Sequence, residues 1–490
     1  MISKVAPLRI LYLTSECAPL VKTGGLGDVA GALPQAMARL GLEMTVLMPA
    51  YRSVRLKLGT LSTAAEFAPT PHFPGARILE GELAGAVRLW LVDCPPLYDR
   101  DGGPYGDDLG DDWNDNAMRF GLLCRIAAGI AGAASPLAWR PDVVHCNDWQ
   151  TALAPAYLHF APEPRARSLF TVHNLAFQGV FDAGLVPKLG LPAECFSSAG
   201  VEYYGKLSFL KAGLNYADII TTVSRTYAVE IRREPLGMGL QGLLAARCDV
   251  LHGILNGIDT TLWNPASDPH LARRYDVASL EGKLDNKRAL QSQLGLERQD
   301  RLPLAGVVAR LTQQKGIDLL IEVAHELLGL PCQLAVLGTG DRAYAERLLA
   351  LTRQYPGRLA AHIGYDERLA HLVEGGADFF LMPSRFEPCG MNQMFSQRYG
   401  TPPVVRATGG LADSVTDCNA ETLADGTATG FSFTEASGAA LLEAAGRAVR
   451  SYCDPGTWRA LQRNGMARDF GWDASAGEYA RLYGRLAGAE

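Results

Sequence analysis

Several features that would assign this 490-residue chain to a protein class at once are missing. Its ten cysteines are scattered, with no CxxC pair and no zinc-finger spacing. No apolar run approaches the roughly 20 residues that a membrane-spanning helix needs, and the N-terminus does not have the pattern of a secretory signal. We therefore expect a cytoplasmic protein with reduced thiols and no membrane contact.

An excess of one charge is also missing. Lys and Arg together number 46 and Asp and Glu 52, a formal net charge of −6. This balance excludes a global attraction for nucleic acid, so an anionic substrate requires a local cluster of basic residues. The acidic stretch 99–116 is not an EF-hand, because that register puts Pro104 where glycine is required and Gly110 where glutamate is required. We expect a solvated loop there and no metal site.

The composition that remains is that of a globular α/β protein. Hydrophobic residues make up 48% and charged residues 20% of the chain. Short apolar runs alternate with helical patterns, which is typical of parallel sheets buried between helices. The predicted strands are 9–15, 45–49, 87–92, 142–145, 168–172, 218–223, 304–309, 333–337, 359–363, 379–382 and 403–406. Strand-like sequence thins out between 264 and 303, which we interpret as the connection between two doubly wound domains, and a last helix is predicted at 472–486.

Ligands of open α/β sheets bind beyond the carboxyl ends of the strands, so the turns there are informative. The first turn has Lys22 and a glycine cluster that includes Gly24, Gly25 and Gly27, followed by Asp28 and a helix. Glycine lets backbone N–H groups approach an anion closely, and a helix N-terminus favours one. A ligand-free turn remains an alternative. So does NAD(P), although residues 16–23 separate the glycines from the strand and the second strand lacks the ribose-binding acid.

Polar clusters also follow two consecutive strands of the first half. Asp148 comes directly after one strand, and His173 and Asn174 come after the next. Each has a purely structural alternative, since Asp148 could cap a helix and a lone histidine is often buried for packing. Because both clusters lie at the same edge of a sheet, we expect one shared site.

The second half repeats the pattern. Arg310 and Lys315 follow its first strand, a combination suited to a diphosphate, although a basic surface turn is the simpler alternative. Glu387 follows a later strand, and glycines with backbone N–H groups come after it. A carboxylate and N–H groups together could hold sugar hydroxyls. Strand-end turns of this kind in two sheets favour a ligand-binding cleft.

Together these motifs resemble the bacterial glycogen synthases and plant starch synthases that use ADP-glucose. The resemblance covers most of the chain and depends on residues 22–29, 112–116, 145–149, 171–179, 256–259, 310–316, 383–390 and 409–413. It implies a GT-B fold with a domain over 1–255, a donor-binding domain over 256–470 and a helix over 471–490 that returns to the first domain. It also implies retaining transfer of glucose from ADP-glucose to the non-reducing end of an α-1,4-glucan such as glycogen, without a metal or other cofactor.

The resemblance also implies roles for individual residues. Catalytic roles fall on Lys22, Asp148, His173, Arg310, Lys315 and Glu387. Substrate-binding roles fall on Gly24, Gly25, Gly27, Asp28, Asn174, Asn256, Tyr365, Cys389, Gly390, Asn392, Gly409 and Gly410. In this pattern Arg310 and Lys315 hold the diphosphate, Glu387 contacts the donor glucose, and Tyr365 stacks on adenine.

The chain departs from the family pattern in two places. Asn392 stands where a threonine is expected near the phosphates, and Gln241 replaces an acid in a loop that also lacks its usual aromatic residue. Two alternatives therefore stay open: a transferase of the same architecture that uses UDP-glucose or a small acceptor, and a non-catalytic glucan-binding protein.

Overall fold

The computed structural model describes residues 7–85 and 87–488. The chain forms two units. The first runs to Gly257 and resumes at Trp472, and the second is Ile258–Gly471. No helix among the described residues is both long enough and apolar enough to cross a membrane.

The strands are numbered in chain order. They are β1 (Arg9–Leu13), β2 (Glu43–Pro49), β3 (Ser62–Phe67), β4 (Ala76–Leu83), β5 (Val87–Asp93), β6 (Val143–Asn147), β7 (Arg167–Val172), β8 (Val180–Phe181), β9 (Glu202–Tyr203), β10 (Lys206–Ser208), β11 (Ile219–Thr222), β12 (Leu251–Gly253), β13 (Leu304–Val308), β14 (Gln333–Gly338), β15 (Leu359–Ile363), β16 (Phe379–Met382), β17 (Pro403–Arg406) and β18 (Phe431–Phe433).

The α-helices are numbered in the same way. They are α1 (Gly25–Arg39), α2 (Arg52–Leu58), α3 (Pro95–Tyr98), α4 (Asn116–Ala131), α5 (Leu153–His159), α6 (Phe209–Tyr216), α7 (Arg225–Glu230), α8 (Gln241–Ala246), α9 (Gly282–Leu294), α10 (Ile317–Glu322), α11 (Ala324–Gly329), α12 (Arg342–Gln354), α13 (Glu367–Gly376), α14 (Asn392–Arg398), α15 (Gly409–Ser414), α16 (Ala420–Ala424), α17 (Gly438–Tyr452), α18 (Pro455–Ala467) and α19 (Trp472–Ala487).

The first unit is built on a sheet of order β12-β11-β7-β6-β1-β2-β5-β4-β3. The strands from β12 to β5 pair in parallel, and β4 and β3 extend the edge as an antiparallel hairpin. The order reverses between β1 and β6, so the turns after these two strands flank the switch point where ligands bind in such sheets. A separate three-stranded antiparallel sheet has the order β8-β10-β9.

The second unit has an all-parallel sheet of order β15-β14-β13-β16-β17-β18. This is the 3-2-1-4-5-6 strand order of a doubly wound nucleotide-binding domain, with its switch point between β13 and β16. The predicted α/β class with two doubly wound sheets is therefore confirmed. Every strand predicted from an apolar run has a counterpart in one of the two large sheets.

Helix α19 packs on the first unit. Its Tyr479 and Tyr483 are buried, and the Tyr483 hydroxyl lies 2.6 Å from Nδ1 of His145 on β6. The other ring nitrogen of His145 lies 2.7 Å from the hydroxyl of Thr171 on β7. Burial lowers the pKa of His145 well below its usual value, so this histidine is a neutral packing residue.

The sequence analysis interpreted the stretch between 264 and 303 as the connection between the two domains. The structure shows that this stretch is an integral part of the second unit and includes α9. Just before it, the Trp263 ring stacks between His371 and Phe395 with centroid distances of 3.9 and 3.8 Å. His371 in turn lies 2.7 Å from the carboxylate of the buried Asp268. Stacking and this buried pair hold the segment against α13 and α14.

Candidate active site

Asp148 marks the switch point of the first sheet. It follows β6 directly and has backbone angles of φ 60° and ψ 179°, a region that is essentially restricted to glycine. The side chain does not cap the following helical turn, which was the structural alternative. Its Oδ1 instead accepts hydrogen bonds from the backbone N–H groups of His173 at 2.8 Å and Asn174 at 3.3 Å. The predicted cluster of Asp148, His173 and Asn174 is therefore assembled.

Burial decides the protonation of this cluster. Removal from water raises the pKa of Asp148 to about 7, although the two backbone N–H bonds oppose the shift. Burial likewise lowers the pKa of His173 to about 3, so its imidazole is neutral. The amide of Asn147 donates to the Leu13 carbonyl, so its Oδ1 faces Nε2 of His173 at 2.9 Å. Nε2 then holds the ring proton and Nδ1 is left as an acceptor.

The glycine turn is fixed by a buried carboxylate that the sequence analysis missed. Glu16 accepts hydrogen bonds from the hydroxyl of Thr23 at 2.6 Å, from the N–H groups of Thr23 and Gly24, and from the Tyr105 hydroxyl. Within the turn, Lys22 Nζ lies 2.7 Å from Asp28 Oδ1. Glu16 had a usable signal, because it comes directly after the predicted strand 9–15.

The predicted glycines of this turn lie at the start of α1. Helix α1 begins at Gly25, after Gly24 as its N-cap, and no side chain caps it. A Cβ on Gly27 would lie 3.1 Å from the Lys22 side chain, which shows how closely the lysine folds over the helix start. The first N–H groups of a helix are free to bind an anion, so this geometry suits the predicted anion loop.

An ion pair occupies the corresponding position in the second unit. Lys315, in the turn after β13, has its Nζ 2.6 Å from Oε2 of Glu387, in the turn after β16. The hydroxyl of Ser384 donates to the same carboxylate oxygen at 2.9 Å. Arg385, in the turn after β16, also forms an ion pair with Asp318 in the first turn of α10. The structure thus brings together Lys315 and Glu387, which lie 72 positions apart in sequence.

Two other predicted donor-site residues of this unit are exposed. Arg310 follows β13 and is exposed to solvent. Tyr365 follows β15 and is 77% exposed, which leaves its ring accessible to a planar ligand. In the first unit, Asn256 is buried and is the penultimate residue before the chain enters the second unit. Among the described residues, no group of His, Cys, Asp and Glu has the arrangement of a metal site.

The glycines near Glu387 serve close backbone packing. A Cβ on Gly409 would lie 1.9 Å from the carbonyl oxygen of Glu387, and one on Gly410 would lie 2.1 Å from that of Cys389. Gly390 has a φ of 71°, which suits glycine at this turn. The amide of Asn392 donates to the Val308 carbonyl at 2.6 Å and so ties α14 to the end of β13. These contacts hold the Glu387 turn against the first residues of α15 and α14 against the end of β13.

Comparison with known proteins agrees with this arrangement. Residues 9–246 match the family model of the starch synthase catalytic domain, and residues 293–450 match that of group 1 glycosyl transferases. The chain is 57% identical to the glycogen synthase of Aromatoleum aromaticum, with 98% of this chain and 97% of that protein covered. It is 54% identical to the glycogen synthase of Nitrosomonas eutropha, with 98% and 96% covered.

Solved structures give the same result. The catalytic domain of starch synthase IV from Arabidopsis thaliana, bound to ADP and acarbose, matches with a TM-score of 0.85 and 32% identity, covering 98% of this chain and 100% of that one. Sucrose-phosphate synthase from Thermosynechococcus elongatus matches with a TM-score of 0.60 at 19% identity, covering 99% and 100%, and shows a shared fold only.

Proposed function

The chain belongs to the glycogen and starch synthase family of glycosyltransferases, and from this premise we propose that it transfers glucose from ADP-glucose to the non-reducing end of an α-1,4-glucan. The observation that carries the proposal is the Lys315–Glu387 pair at the switch point of the second sheet, with the exposed Arg310 in the same turn of the chain as Lys315. A glucan-binding protein without activity has no need for cations there, whereas a departing diphosphate does. The ADP in the starch synthase IV structure supports the choice of nucleotide.

In the second unit, we assign the leaving group to the cations and the sugar to the carboxylate. The fork of Arg310 and the point charge of Lys315 stabilise the diphosphate as it gains charge, so no metal ion is required. Glu387 contacts hydroxyl groups of the donor glucose and, through its 2.6 Å contact with Lys315, orients that ammonium group. The exposed ring of Tyr365 stacks on adenine.

In the first unit, we assign the reacting sugar to the buried cluster. Lys22, with the N–H groups that begin α1, adds positive potential for the phosphates. The neutral imidazole of His173 uses its Nδ1 to accept a hydrogen bond from a sugar hydroxyl, because its Nε2–H donates to Asn147 Oδ1. Asp148, once ionised, stabilises positive charge that develops at the anomeric carbon.

The reaction that follows is a displacement on one face of the sugar. The bond between the anomeric carbon and the phosphate oxygen breaks, and its electron pair leaves with ADP. The 4-hydroxyl of the acceptor forms the new bond on the same face and passes its proton to the departing phosphate oxygen, so the configuration is retained. A retaining hydrolase would need two carboxylates about 5 Å apart, one of them a free nucleophile. Neither carboxylate is a free nucleophile of this kind, because Asp148 is held by two backbone N–H groups and Glu387 by Lys315.

The test is release of nucleotide from ADP-glucose and from UDP-glucose, each with and without glycogen. The proposal expects ADP release that depends on glycogen. Equal or faster release from UDP-glucose would keep the fold and change the donor. Release from neither donor would contradict the proposal. A covalent glucosyl adduct trapped on Asp148 or Glu387 would contradict the one-step displacement.

A further inference from the structure

Three residues other than glycine have a positive φ within the described part of the chain. They are Asp148 at 60°, Tyr204 at 48° and Met238 at 47°, and all three belong to the first unit. Side chains avoid this region because it costs backbone energy, and such outliers concentrate at functional sites. Asp148 lies in the site described above. The other two have no role in it.

Hydrogen bonds and adjacent residues of the chain connect Asp148, Met238 and Tyr203, the neighbour of Tyr204. Asp148 binds the N–H of Asn174, and the carbonyl of Asn174 accepts from the N–H of Phe177. The next residue, Gln178, donates its side-chain amide to the Met238 carbonyl at 3.0 Å. The same carbonyl accepts from the Tyr203 hydroxyl at 2.8 Å. A continuous set of contacts therefore runs from Asp148 to the β9–β10 hairpin.

Tyr204 is poorly suited to its turn. It forms with Gly205 the two-residue connection between β9 and β10, and both residues have positive φ, at 48° and 78°. This turn type favours Asn-Gly, since asparagine tolerates the left-handed region and tyrosine does not. Burial does not compensate the strain, because Tyr204 is 80% exposed. A residue that breaks a local rule while its side chain stays largely in solvent points to a function.

We propose that Tyr204 is a binding platform for the α-glucan acceptor, at a distance along the chain from its reacting end. This inference rests on the proposed function and adds a specificity determinant to it. The Tyr203 ring meets that of Tyr204 edge to face, with centroids 4.7 Å apart and ring planes at 86°. With its hydroxyl held by Met238, Tyr203 braces the neighbouring ring in one orientation.

The chemistry of the surface favours a neutral sugar polymer. A rigid tyrosine ring offers a flat apolar face to the C–H groups of a glucose ring and a hydroxyl to its polar edge, at little entropic cost. Phe177 lies on the path of contacts from Asp148 to the β9–β10 hairpin, and its ring, which is 48% exposed, is a second aromatic surface there. The loop around Met238, to which Tyr203 is hydrogen-bonded, is also where the sequence lacks the aromatic residue usual in the family.

The decisive variant is Tyr204→Asn, because it removes the ring and suits the turn better. We expect its melting temperature to equal or exceed that of the wild type. We expect its KM for glycogen and maltoheptaose to rise about two- to tenfold, the range of one aromatic contact, with KM for ADP-glucose unchanged. Tyr204→Phe keeps the ring and should keep the KM. Leu40→Ala, at the exposed C-terminal end of α1, is the control.

A second readout needs no donor: retardation by glycogen in a native gel should weaken for Tyr204→Asn alone. An unchanged glycogen KM in Tyr204→Asn would overturn the proposal. So would a rise confined to the KM for ADP-glucose, which would assign the ring to the donor, or a lower melting temperature, which would make the tyrosine structural. Failure of the proposed function is distinguishable, because the wild type would then show no glycogen-dependent ADP release.

Discussion

Asp148 combines a backbone conformation that side chains avoid with a carboxyl group that burial keeps protonated to about pH 7. Only ionised Asp148 can stabilise a positive anomeric carbon. We therefore expect kcat/KM for ADP-glucose to rise with pH through about 7, since this parameter reports the free enzyme. A profile that stays flat from about pH 5 to about pH 8 would remove Asp148 from this role.

The same pKa links Asp148 to stability. An unfolded aspartate loses its proton near pH 3.9 and the folded one near about pH 7, so the folded state binds more protons in between. The unfolding free energy of the wild type should therefore fall, relative to that of Asp148→Asn, as pH rises from about 4 to about 7. Urea midpoints of both proteins across this range measure the difference. Parallel curves would contradict the assigned pKa.

Lys315 tests the leaving-group role at the level of one side chain. Lys315→Ala removes the ammonium group that stabilises the departing diphosphate, so kcat should fall by roughly 10²–10³. Lys188→Ala, at an exposed position, should retain wild-type turnover. Turnover near the wild-type value in Lys315→Ala would exclude Lys315 from the chemical step.

At the scale of elements, the turn after β17 packs closely against the turn after β16, and this packing requires glycine at position 409. Gly409→Ala would put a Cβ 1.9 Å from the Glu387 carbonyl oxygen and add the strain of a φ of 46°. Gly426 has a φ of 73° but open space around its Cβ, so Gly426→Ala carries the strain alone, about 1–2 kcal/mol. We expect Gly409→Ala to be less stable than Gly426→Ala and to raise the KM for ADP-glucose. Equal effects would show that the contact does not position Glu387.

Helix α19 offers a second test at this scale. Tyr483→Phe leaves the buried Nδ1 of His145 without its partner, so we expect a loss of about 1–3 kcal/mol in unfolding free energy. Tyr204→Phe removes an exposed hydroxyl and should change stability by less than about 0.5 kcal/mol. Chemical denaturation of both variants makes the comparison. A Tyr483→Phe midpoint at the wild-type value would mean that water replaces the lost hydroxyl.

Strands buried on both faces could be predicted from the sequence, because such strands are uniformly apolar. The β3–β4 hairpin could not, since β3 is largely exposed and carries no apolar run. The two- and three-residue strands β8, β9 and β10 exist only through their partners and have no signal of their own. The sequence analysis placed the first helix after Asp28, but α1 begins at Gly25, because the glycines of the predicted anion loop also begin the helix.

The residues of the candidate site also divide into those that the sequence predicts and those that it does not. Polar residues directly after apolar strands, such as Asp148 and His173, could be predicted because strand ends share an edge of the sheet. Glu16 and Asn147 also lie at strand ends, but the groups that they bind are brought to them only by folding, so the sequence did not show their roles. The strain at Asp148 and Tyr204 is a backbone property that no residue pattern encodes.

At the scale of the whole molecule, two doubly wound sheets carry the predicted anion loop in the first unit and the Lys315–Glu387 ion pair in the second. The net charge of −6 makes this local placement necessary, because the chain as a whole repels an anionic donor. Retaining transfer to a polymer is the activity that uses every one of these features.

The most direct measurement follows the anomeric carbon itself. ADP-glucose labelled with carbon-13 at C1 is incubated with the protein and glycogen, and the polymer is examined by NMR. We expect the label in α-1,4 linkages of the polymer, with one ADP released for each glucose transferred. Label in free glucose would indicate a hydrolase, and label in β-linkages would indicate inversion. Either result would contradict retaining glucosyl transfer.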